Sequence, residues 1–294
     1  MKETVEFRIF KDYYHLLSKP NNAKYNGVVY VIEVEKEDPL YNEIGRLNKS
    51  VKEKYSEYFF GYYSIKRKYS KKELEGATLL HLKIKTTFEP AGEECGTMYD
   101  EVTACAICGA NRKQINPLTL MKGSVPKKDI ARTIAGEVVV SEKFAAAFKQ
   151  RGLKGALLEP VVFKKGASNY YQLIASTEIE LSHHTVVGGD PFDLGIEGGE
   201  ALEFTVSGGY PVEFEKEVYK CPKGHTIGLN LLSEPYVLNS QLIGEYDFFA
   251  SKQKIGVKRG LLRPEPIYFC SQAFRKMIEE EKLSGFEFEI THIE

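Results

Sequence analysis

Residues 141–159 read SEKFAAAFKQRGLKGALLE, and residues 271–289 read SQAFRKMIEEEKLSGFEFE. Each stretch follows an apolar run, and its first serine can cap a helix by accepting an amide proton two or three residues further on. Each helix then ends in Leu-x-Gly, where glycine tolerates a left-handed turn. The pattern predicts two related strand–helix–strand modules, at about 138–163 and 266–293. Two unrelated segments that match by chance are the alternative. Five of the nineteen positions are identical, namely Ser141, Phe144, Leu153, Gly155, Glu159 and their counterparts 130 positions later.

The first ninety residues predict a separate unit. Runs of β-branched and aromatic residues at 5–10 and 28–34 are typical of strands. Apolar residues three or four apart over 41–58 indicate a helix, and alternation over 79–88 indicates a further strand.

A turn signal, Glu-Pro-Ala-Gly at 89–92, marks the predicted end of this unit. We therefore expect an α+β fold with an N-terminal α+β domain at 1–90. A second domain, at 91–294, would carry both modules.

Composition restricts the classes of protein to which the chain can belong. Of 294 residues, 43% are hydrophobic, which is enough for a core, and 40 basic residues oppose 41 acidic ones. A near-neutral chain has no global attraction to nucleic acid or anionic membranes. The start, MKETVEFRIF, lacks the apolar stretch of a secretory signal, and five cysteines are an odd number. We therefore expect a cytoplasmic protein with reduced thiols and no membrane span.

Two short motifs carry metal-binding chemistry. Cys105-Ala-Ile-Cys108-Gly109 places two thiolates in one tight turn, and Cys221-Pro-Lys-Gly-His225 adds a thiolate and an imidazole. Thiolate and imidazole are the preferred donors of zinc, and four protein donors make a closed, structural site. The sequence therefore predicts one structural Zn²⁺ ion held by Cys105, Cys108, Cys221 and His225.

The two motifs lie 113 positions apart, so their pairing needs an energetic justification. Closing such a loop costs about 4 kcal/mol by the logarithmic entropy rule. Structural zinc contributes roughly 10–16 kcal/mol in peptides near neutral pH. The ion can therefore offset the closure.

Two alternatives to this site stay open. Cys95 can replace His225 as the fourth ligand, or the C-x-x-C can be a redox pair. The redox alternative requires a helix that begins at the motif, whereas the flanking residues have turn character. Cys270 stands in an apolar run and is predicted to be a core residue.

Other polar clusters have weaker signals. His183 and His184, with Asp190 and Asp193, can form a second metal or acid–base cluster, although loop residues are the simpler interpretation. The basic run at 66–72 is interleaved with tyrosines and can contact nucleic acid, although a solvated helix or strand face is the favoured interpretation in a chain of net charge -1. No phosphate-loop, dinucleotide, zinc-protease or serine-hydrolase motif is present, so we nominate no catalytic residue.

The Cys105 to Gly109 motif, the second half-site downstream and the Ser-x-x-Phe…Leu-x-Gly segment resemble the bacterial double-CXXCG-motif proteins. The similarity covers roughly residues 91–160 and the half-site at Cys221. The family's second motif would place cysteine at 224 and glycine at 225, whereas this chain has Gly224 and His225. Some members are described as immunity proteins that neutralise a cognate toxin, so the resemblance implies a metal-stapled, non-catalytic protein-binding scaffold.

A partner protein, such as a toxin, would on this view be occluded sterically, with complementary charge providing specificity. One predicted docking segment for a basic toxin is the acidic, glycine-rich stretch between the modules, which contains Asp190, Asp193, Glu197, Glu200 and Glu203. An enzyme with a site near His183 and His184, or a nucleic-acid-binding protein, are the alternative functions.

Overall fold

The computed structural model describes residues 1–18, 23–192, 220–238 and 244–294. Within these ranges, five α-helices and several sheets give the mixed α+β fold that the sequence predicts. The chain divides into two compact units. The first contains Met1–Glu73 and residues 190–192, and the second contains the other described residues. None of the helices in the described ranges has the length and apolar character needed to cross a membrane.

A four-stranded antiparallel sheet, covered on one face by a helix, forms the first unit. Asp38 caps this helix by accepting a hydrogen bond of 2.9 Å from the Leu40 amide. Alternate residues of the central strand, among them Phe7 and Ile9, are buried with Ile44 of the helix, as the two-residue period of a strand requires. The elements are β1 (Lys2–Phe10), a 3-10 helix (Tyr14–Leu16), β2 (Lys24–Tyr25), β3 (Val29–Glu35), α1 (Pro39–Tyr55) and β4 (Phe60–Lys68), in the sheet order β2-β3-β1-β4.

The second unit begins within α2 (Lys71–Gly76), which opens with a capping box formed by Ser70 and Glu73. It continues with β5 (Leu79–Ile84), β6 (Thr87–Phe88), α3 (Gly92–Cys95), β7 (Tyr99–Asp100), β8 (Lys113–Gln114), β9 (Thr119–Leu120), β10 (Ile130–Thr133), β11 (Val138–Ser141), α4 (Glu142–Gln150), β12 (Ala156–Pro160), β13 (Val162–Phe163), β14 (Tyr170–Ala175), β15 (Glu178–Ile179), β16 (Val187–Gly188), β17 (Thr226–Gly228), β18 (Asn230–Leu231), β19 (Tyr236–Val237), β20 (Phe248–Ile255), β21 (Glu265–Cys270), α5 (Gln272–Glu280) and β22 (Phe286–Ile293).

The division between the units falls at Glu73/Leu74 and not near residue 90, where the turn signal led us to place it. The reason is the position of β5, which lies between β21 and β22. Leu82 of β5 pairs with Tyr268 on one side and with Phe288 on the other. A strand that is hydrogen-bonded on both edges within the second unit belongs to that unit.

Both predicted strand–helix–strand segments are present, as β11-α4-β12 (module 1) and β21-α5-β22 (module 2). Ser141 accepts a hydrogen bond of 3.1 Å from the Phe144 amide, and Ser271 accepts one of 3.2 Å from the Phe274 amide. The glycine before the last strand of each module has φ of +101°. A Cβ on Gly285 would lie 2.4 Å from a carbonyl oxygen, so no other residue fits there.

The two large sheets have corresponding strand orders. Sheet A runs β6-β10-β11-β14-β12, and the corresponding part of sheet B runs β15-β20-β21-β5-β22, with matching parallel and antiparallel pairings. In the chain, β5 is followed by β6 but lies in sheet B, and β14 is followed by β15 but lies in sheet A. Each sheet is thus completed by a strand from the other half of the unit.

One core joins the two sheets and their helices. Phe144 of α4, Phe274 of α5 and Phe248 of β20 are all fully buried in it, together with Leu80 of β5. Cys270 is fully buried in the same core, as predicted. The opposite faces of the sheets carry separate cores around Leu120 and Phe269.

Two half-buried aspartates connect the modules reciprocally. The Asp129 carboxylate accepts hydrogen bonds from Ser141 Oγ of module 1 (2.8 Å) and from the Ser284 amide (2.8 Å) and hydroxyl (2.9 Å) of module 2. The Asp247 carboxylate accepts from Ser271 Oγ of module 2 (2.7 Å) and from the Lys154 amide of module 1 (3.0 Å). Each aspartate therefore fixes the helix start of one module and the glycine turn of the other.

Candidate metal centre

The first half-site is a tight turn at residues 105–110, which we call knuckle 1, in the loop between β7 and β8. The Cys105 amide donates to the Ala110 carbonyl, and the Gly109 amide donates to the Cys105 carbonyl, both at 2.8 Å. Gly109 has φ of +68°, a conformation that disfavours other residues. The turn directs the two cysteine side chains of C-x-x-C-G to the same side.

The second half-site, knuckle 2, precedes β17 and repeats this turn with one change. The Cys221 amide donates to the Thr226 carbonyl at 2.8 Å, five positions on, as in knuckle 1. The left-handed residue is Gly224, with φ of +78°, and therefore comes one place earlier than in knuckle 1. The next donor side chain is accordingly one place later, at His225, so C-x-x-x-H is a geometric equivalent of C-x-x-C.

The structure brings all four predicted ligands together. One ligand atom from each of Cys105, Cys108, Cys221 and His225 lies within 4.8 Å of the others, and the three cysteines are buried. The Sγ atoms of Cys105 and Cys221 are 3.8 Å apart, and Nδ1 of His225 is 3.9 Å from Sγ of both Cys108 and Cys221. This Cys₃His cluster can hold a metal ion.

Three of the six separations between ligand atoms lie close to those around a tetrahedral ion. Metal–sulfur bonds of about 2.3 Å at tetrahedral angles hold two sulfurs about 3.8 Å apart, which is the separation of the Cys105 and Cys221 sulfurs. A nitrogen at about 2.1 Å from the ion would lie about 3.6 Å from each sulfur, so His225 needs to approach by only a few tenths of an ångström. The nitrogen that faces the sulfurs is Nδ1.

The thiols differ in acidity. Backbone N–H groups, that of Cys108 first and that of Ile107, lower the pKa of Cys105 to about 6 against the effect of burial. Burial raises the pKa of Cys221, and the neighbouring sulfurs of Cys108 and Cys105 raise it further. Three sulfurs this close cannot all carry negative charge without a cation, so the cluster gains most from a bound metal ion.

Lys254 of β20 supports the cluster from the adjoining hairpin. Its amide donates to the His225 carbonyl at 2.8 Å, and its ammonium donates to the Asn111 side chain at 2.6 Å. Burial lowers the pKa of Lys254, while the negative charges of the Glu178 carboxylate and of a Cys108 thiolate act in the opposite direction. The ammonium therefore interacts electrostatically with Cys108 of knuckle 1.

Arg112 fixes knuckle 1 from its other side. Its guanidinium lies 3.7 Å from the centre of the Tyr99 ring and bonds to Glu93 at 2.8 Å and Glu101 at 3.1 Å. Sequence reasoning identified the four ligands but neither Lys254 nor Arg112, because a single basic residue has no spacing signature.

The remaining cysteines lie outside the cluster. Cys95 is buried at the end of α3 and is not among the clustered ligands, so the fourth donor is His225. The C-x-x-C stands in a turn, and α3, which precedes it, ends at Cys95. The helix start that a redox pair requires is therefore missing among the described residues around the motif.

The histidine pair is engaged locally. His184 Nδ1 bonds to Glu294 at 2.5 Å, and Ser182 bonds to the same carboxylate. Asp190 accepts a hydrogen bond of 3.1 Å from Asn48. Asp193 lies outside the described residues, as do Glu197, Glu200 and Glu203 of the acidic stretch.

Two residues of the basic run, Lys66 and Arg67, are paired with glutamates. Lys66 bonds to Glu6 at 3.0 Å and to Glu33 at 3.4 Å. Arg67 is buried and bonds to Glu3 at 2.7 Å. The positive charge of these two residues is therefore balanced locally.

No protein-family model matches the chain, and a search of curated proteins gives no match. The resemblance to the double-CXXCG-motif proteins stays a prediction that depends on the residues quoted above.

Proposed function

We propose that Cys105, Cys108, Cys221 and His225 hold a structural zinc ion, and that the chain is a non-catalytic scaffold that binds another protein, as a toxin-immunity protein does. The observation that carries this proposal is the closed donor set: three sulfurs and one imidazole, all from the protein. Four protein ligands leave no position for a water or substrate, as in structural zinc sites.

Zinc is the ion that best matches the donors. Soft thiolates with one imidazole in a tetrahedral arrangement select zinc over hard cations such as magnesium or calcium. All five cysteines of the chain are free thiols, which suits a reducing compartment such as the cytoplasm. Purified protein that has not been exposed to a chelator should therefore contain one equivalent of zinc.

We further propose that residues 79–164 and 170–294 are two copies of one ancestral unit, which would extend the short repeat predicted from the sequence. The support is the correspondence of hydrogen bonds. The Thr97 hydroxyl accepts from the Thr119 amide at 2.8 Å, and the Thr185 hydroxyl accepts from the Tyr236 amide at 2.9 Å. Each knuckle precedes the corresponding strand, β10 or β20, and each copy lends its first strand to the sheet of the other.

The binding function follows from what this scaffold offers. A duplicated, metal-clasped unit presents rigid loops at its surface, and rigid loops bind partners with a small entropic cost. For the alternative of an enzyme near His183 and His184, the structure shows only that His184 bonds to the Glu294 side-chain carboxylate. The alternative of nucleic-acid binding by the run at 66–72 loses support because Lys66 and Arg67 pair with glutamates.

The test is affinity capture of the tagged, zinc-loaded protein from its native cell, with the captured proteins identified by mass spectrometry. We expect one stoichiometric partner that carries a toxin domain, and inhibition of that toxin by the purified chain. A protein that elutes alone, or a partner whose activity is unchanged, would contradict the proposed function. Cys108→Ser tests the metal site, with Cys95→Ser as the matched control, since Cys95 is a buried cysteine outside the cluster.

A further inference from the structure

Three segments adjoin around the metal centre and form one surface, which we call the knuckle surface: residues 100–113, 220–226 and 254–263. The Lys258 side chain packs on Gly109, where a Cβ would come within 2.8 Å of it. The Arg263 guanidinium lies 3.9 Å from the Glu101 carboxylate. These contacts, with those of Lys254, hold the hairpin between β20 and β21 against both knuckles.

The charge of this surface differs from that of the chain. The three segments contain eight Lys or Arg and two Asp or Glu, whereas the whole chain has a net charge of -1. One of the two acidic residues, Glu101, bonds to Arg112 at 3.1 Å, and Arg112 is itself one of the eight basic residues. Within the described part of the chain, no carboxylate forms an ion pair with four exposed cations of the surface, namely Lys113, Lys220, Lys223 and Lys258.

Aliphatic side chains lie among these cations. Val102 is 95% exposed, and Ile107 of knuckle 1 and Leu262 of the hairpin are also exposed. Pro222 adds an exposed ring between Cys221 and Lys223, within the second motif. Aliphatic side chains that are exposed together on one surface can be buried against a partner.

We propose that the knuckle surface, in place of the acidic stretch expected from the sequence, is the docking site for the partner protein, and that the partner presents an acidic segment with aliphatic side chains. This inference rests on the proposed protein-binding function and names the surface that performs it. Unpaired lysines attract carboxylates and accelerate association, while buried aliphatic contacts provide lasting affinity. The zinc ion would contribute by keeping Ile107 and Lys223, on different knuckles, at a fixed separation.

Nucleic acid is the other polyanion that a basic surface can bind, and the residue types favour protein. Binding of single-stranded nucleic acid generally uses aromatic side chains on which bases stack. The three segments contain no Phe, Tyr or Trp. Aliphatic residues beside lysines suit leucine- or isoleucine-bearing acidic peptides better.

The experiment selects binders from a displayed library of short random peptides on immobilised, zinc-loaded, full-length protein. The test variant is Lys223→Glu with Lys258→Glu, which reverses two exposed cations without altering a ligand. The matched control is Lys49→Glu with Lys72→Glu, which makes the same change of net charge at exposed positions elsewhere. Metal content is measured on each protein to confirm that the centre is intact.

We expect enriched peptides with more Asp and Glu than Lys and Arg, together with aliphatic residues. Charge reversal at the knuckle surface should weaken them by at least about tenfold at low salt, and the control should change them less than about twofold. Selection without an acidic bias, or peptides that bind the charge-reversed variant equally well, would overturn the proposal. A single-stranded oligonucleotide that competes with the selected peptides more strongly than they compete with each other would identify a nucleic-acid surface instead.

The native partner separates this inference from the proposed function. A toxin captured equally by wild type and by the Lys223→Glu, Lys258→Glu variant would refute the knuckle surface and leave the proposed function standing. If no partner is captured but acidic peptides are selected at this surface, the surface stands and the toxin-immunity function fails.

Discussion

Replacing Asp129 by alanine should loosen module 2 more than module 1, although Asp129 precedes module 1 in the chain. Its carboxylate accepts two hydrogen bonds from Ser284 of module 2 and one from Ser141 of module 1. Asp247 has the reciprocal arrangement, with one bond to Ser271 of module 2 and one to Lys154 of module 1. The two aspartates therefore have equivalent positions, but the Asp129 carboxylate accepts three hydrogen bonds and the Asp247 carboxylate accepts two.

The expected magnitudes follow from this difference. A half-buried hydrogen bond to a charged acceptor contributes about 1 kcal/mol net, since water replaces part of it when it is lost. Asp129→Ala should then lower the free energy of unfolding by about 3 kcal/mol, and Asp247→Ala by about 2 kcal/mol. Asp12→Ala, at an exposed aspartate in the first unit, is the control and should stay within about 0.5 kcal/mol.

Hydrogen exchange read by mass spectrometry localises the effect. Asp129→Ala should accelerate exchange of the Ser284 amide, and Asp247→Ala should accelerate exchange of the Lys154 amide, each by about a hundredfold or the global limit. The reasoning is refuted if each variant affects only its neighbours in sequence. It is also refuted if Asp247→Ala is the more destabilising of the two.

Acid adds a second test of the same residue. Burial raises the pKa of Asp129, but the Ser284 amide and the hydroxyls of Ser141 and Ser284 outweigh it, so the pKa lies below its ordinary value. A depressed carboxyl pKa stabilises the fold above the unfolded value of about 3.9 and ceases to do so as pH falls through the folded value. The stability difference between wild type and Asp129→Ala, measured by urea unfolding, should therefore be constant near neutrality and shrink below about pH 4.

Two further substitutions test the fold and the centre. Gly285→Ala should lower the free energy of unfolding by about 3 kcal/mol or more, because the new Cβ would lie 2.4 Å from the Ile130 carbonyl oxygen. Gly152 also has a positive φ but has open space around it, so Gly152→Ala should cost only about 1–2 kcal/mol. Thermal or urea unfolding measures both variants. In a competition with a chromogenic chelator, Cys108→Ser should reduce bound zinc at least tenfold, whereas Cys95→Ser should leave it unchanged. If the two variants retain the same amount of zinc, Cys108 is not a ligand.

Short-range sequence patterns were sufficient to predict the main helices and strands and the four candidate metal ligands. The period of α1 predicted a helix, and the serine and glycine of each module predicted its start and its last turn. The four ligands could be predicted because thiolate and imidazole at short spacing have few other uses. The prediction that they converge required only that the binding energy expected of a zinc ion exceed the cost of loop closure.

Long-range pairing was not predictable from pattern. The alternation of β5 predicts a strand but contains nothing to indicate that its partners, β21 and β22, stand about 200 positions away. The domain boundary was consequently placed after this strand instead of before it. Lys254 and Arg112 likewise lie beside the ligands only because of the packing of the hairpin and the turn.

The exchanged strands change what the metal ion is expected to do. From the sequence alone, zinc closes a loop of 113 residues, and its removal would release about 4 kcal/mol of loop entropy. In the fold, β5 and β14 already tie the two halves together, and β17 pairs with β20 directly after His225. The loop that the ion closes is therefore much shorter than the separation in sequence.

Chelation should accordingly loosen the knuckles without unfolding the sheets. After treatment with a strong chelator, we expect faster hydrogen exchange in residues 100–113 and 220–226, and unchanged protection in β5 and β21, because those strands keep their hydrogen bonds on both edges. Addition of zinc should restore the original exchange. If chelation removes protection throughout the second unit, the ion joins the two halves of that unit, and the strands β5 and β14 that each half contributes to the other's sheet do not. If chelation loosens only the knuckles, the main effect of the ion is to fix the distance between the two knuckles at the surface that we propose binds the partner.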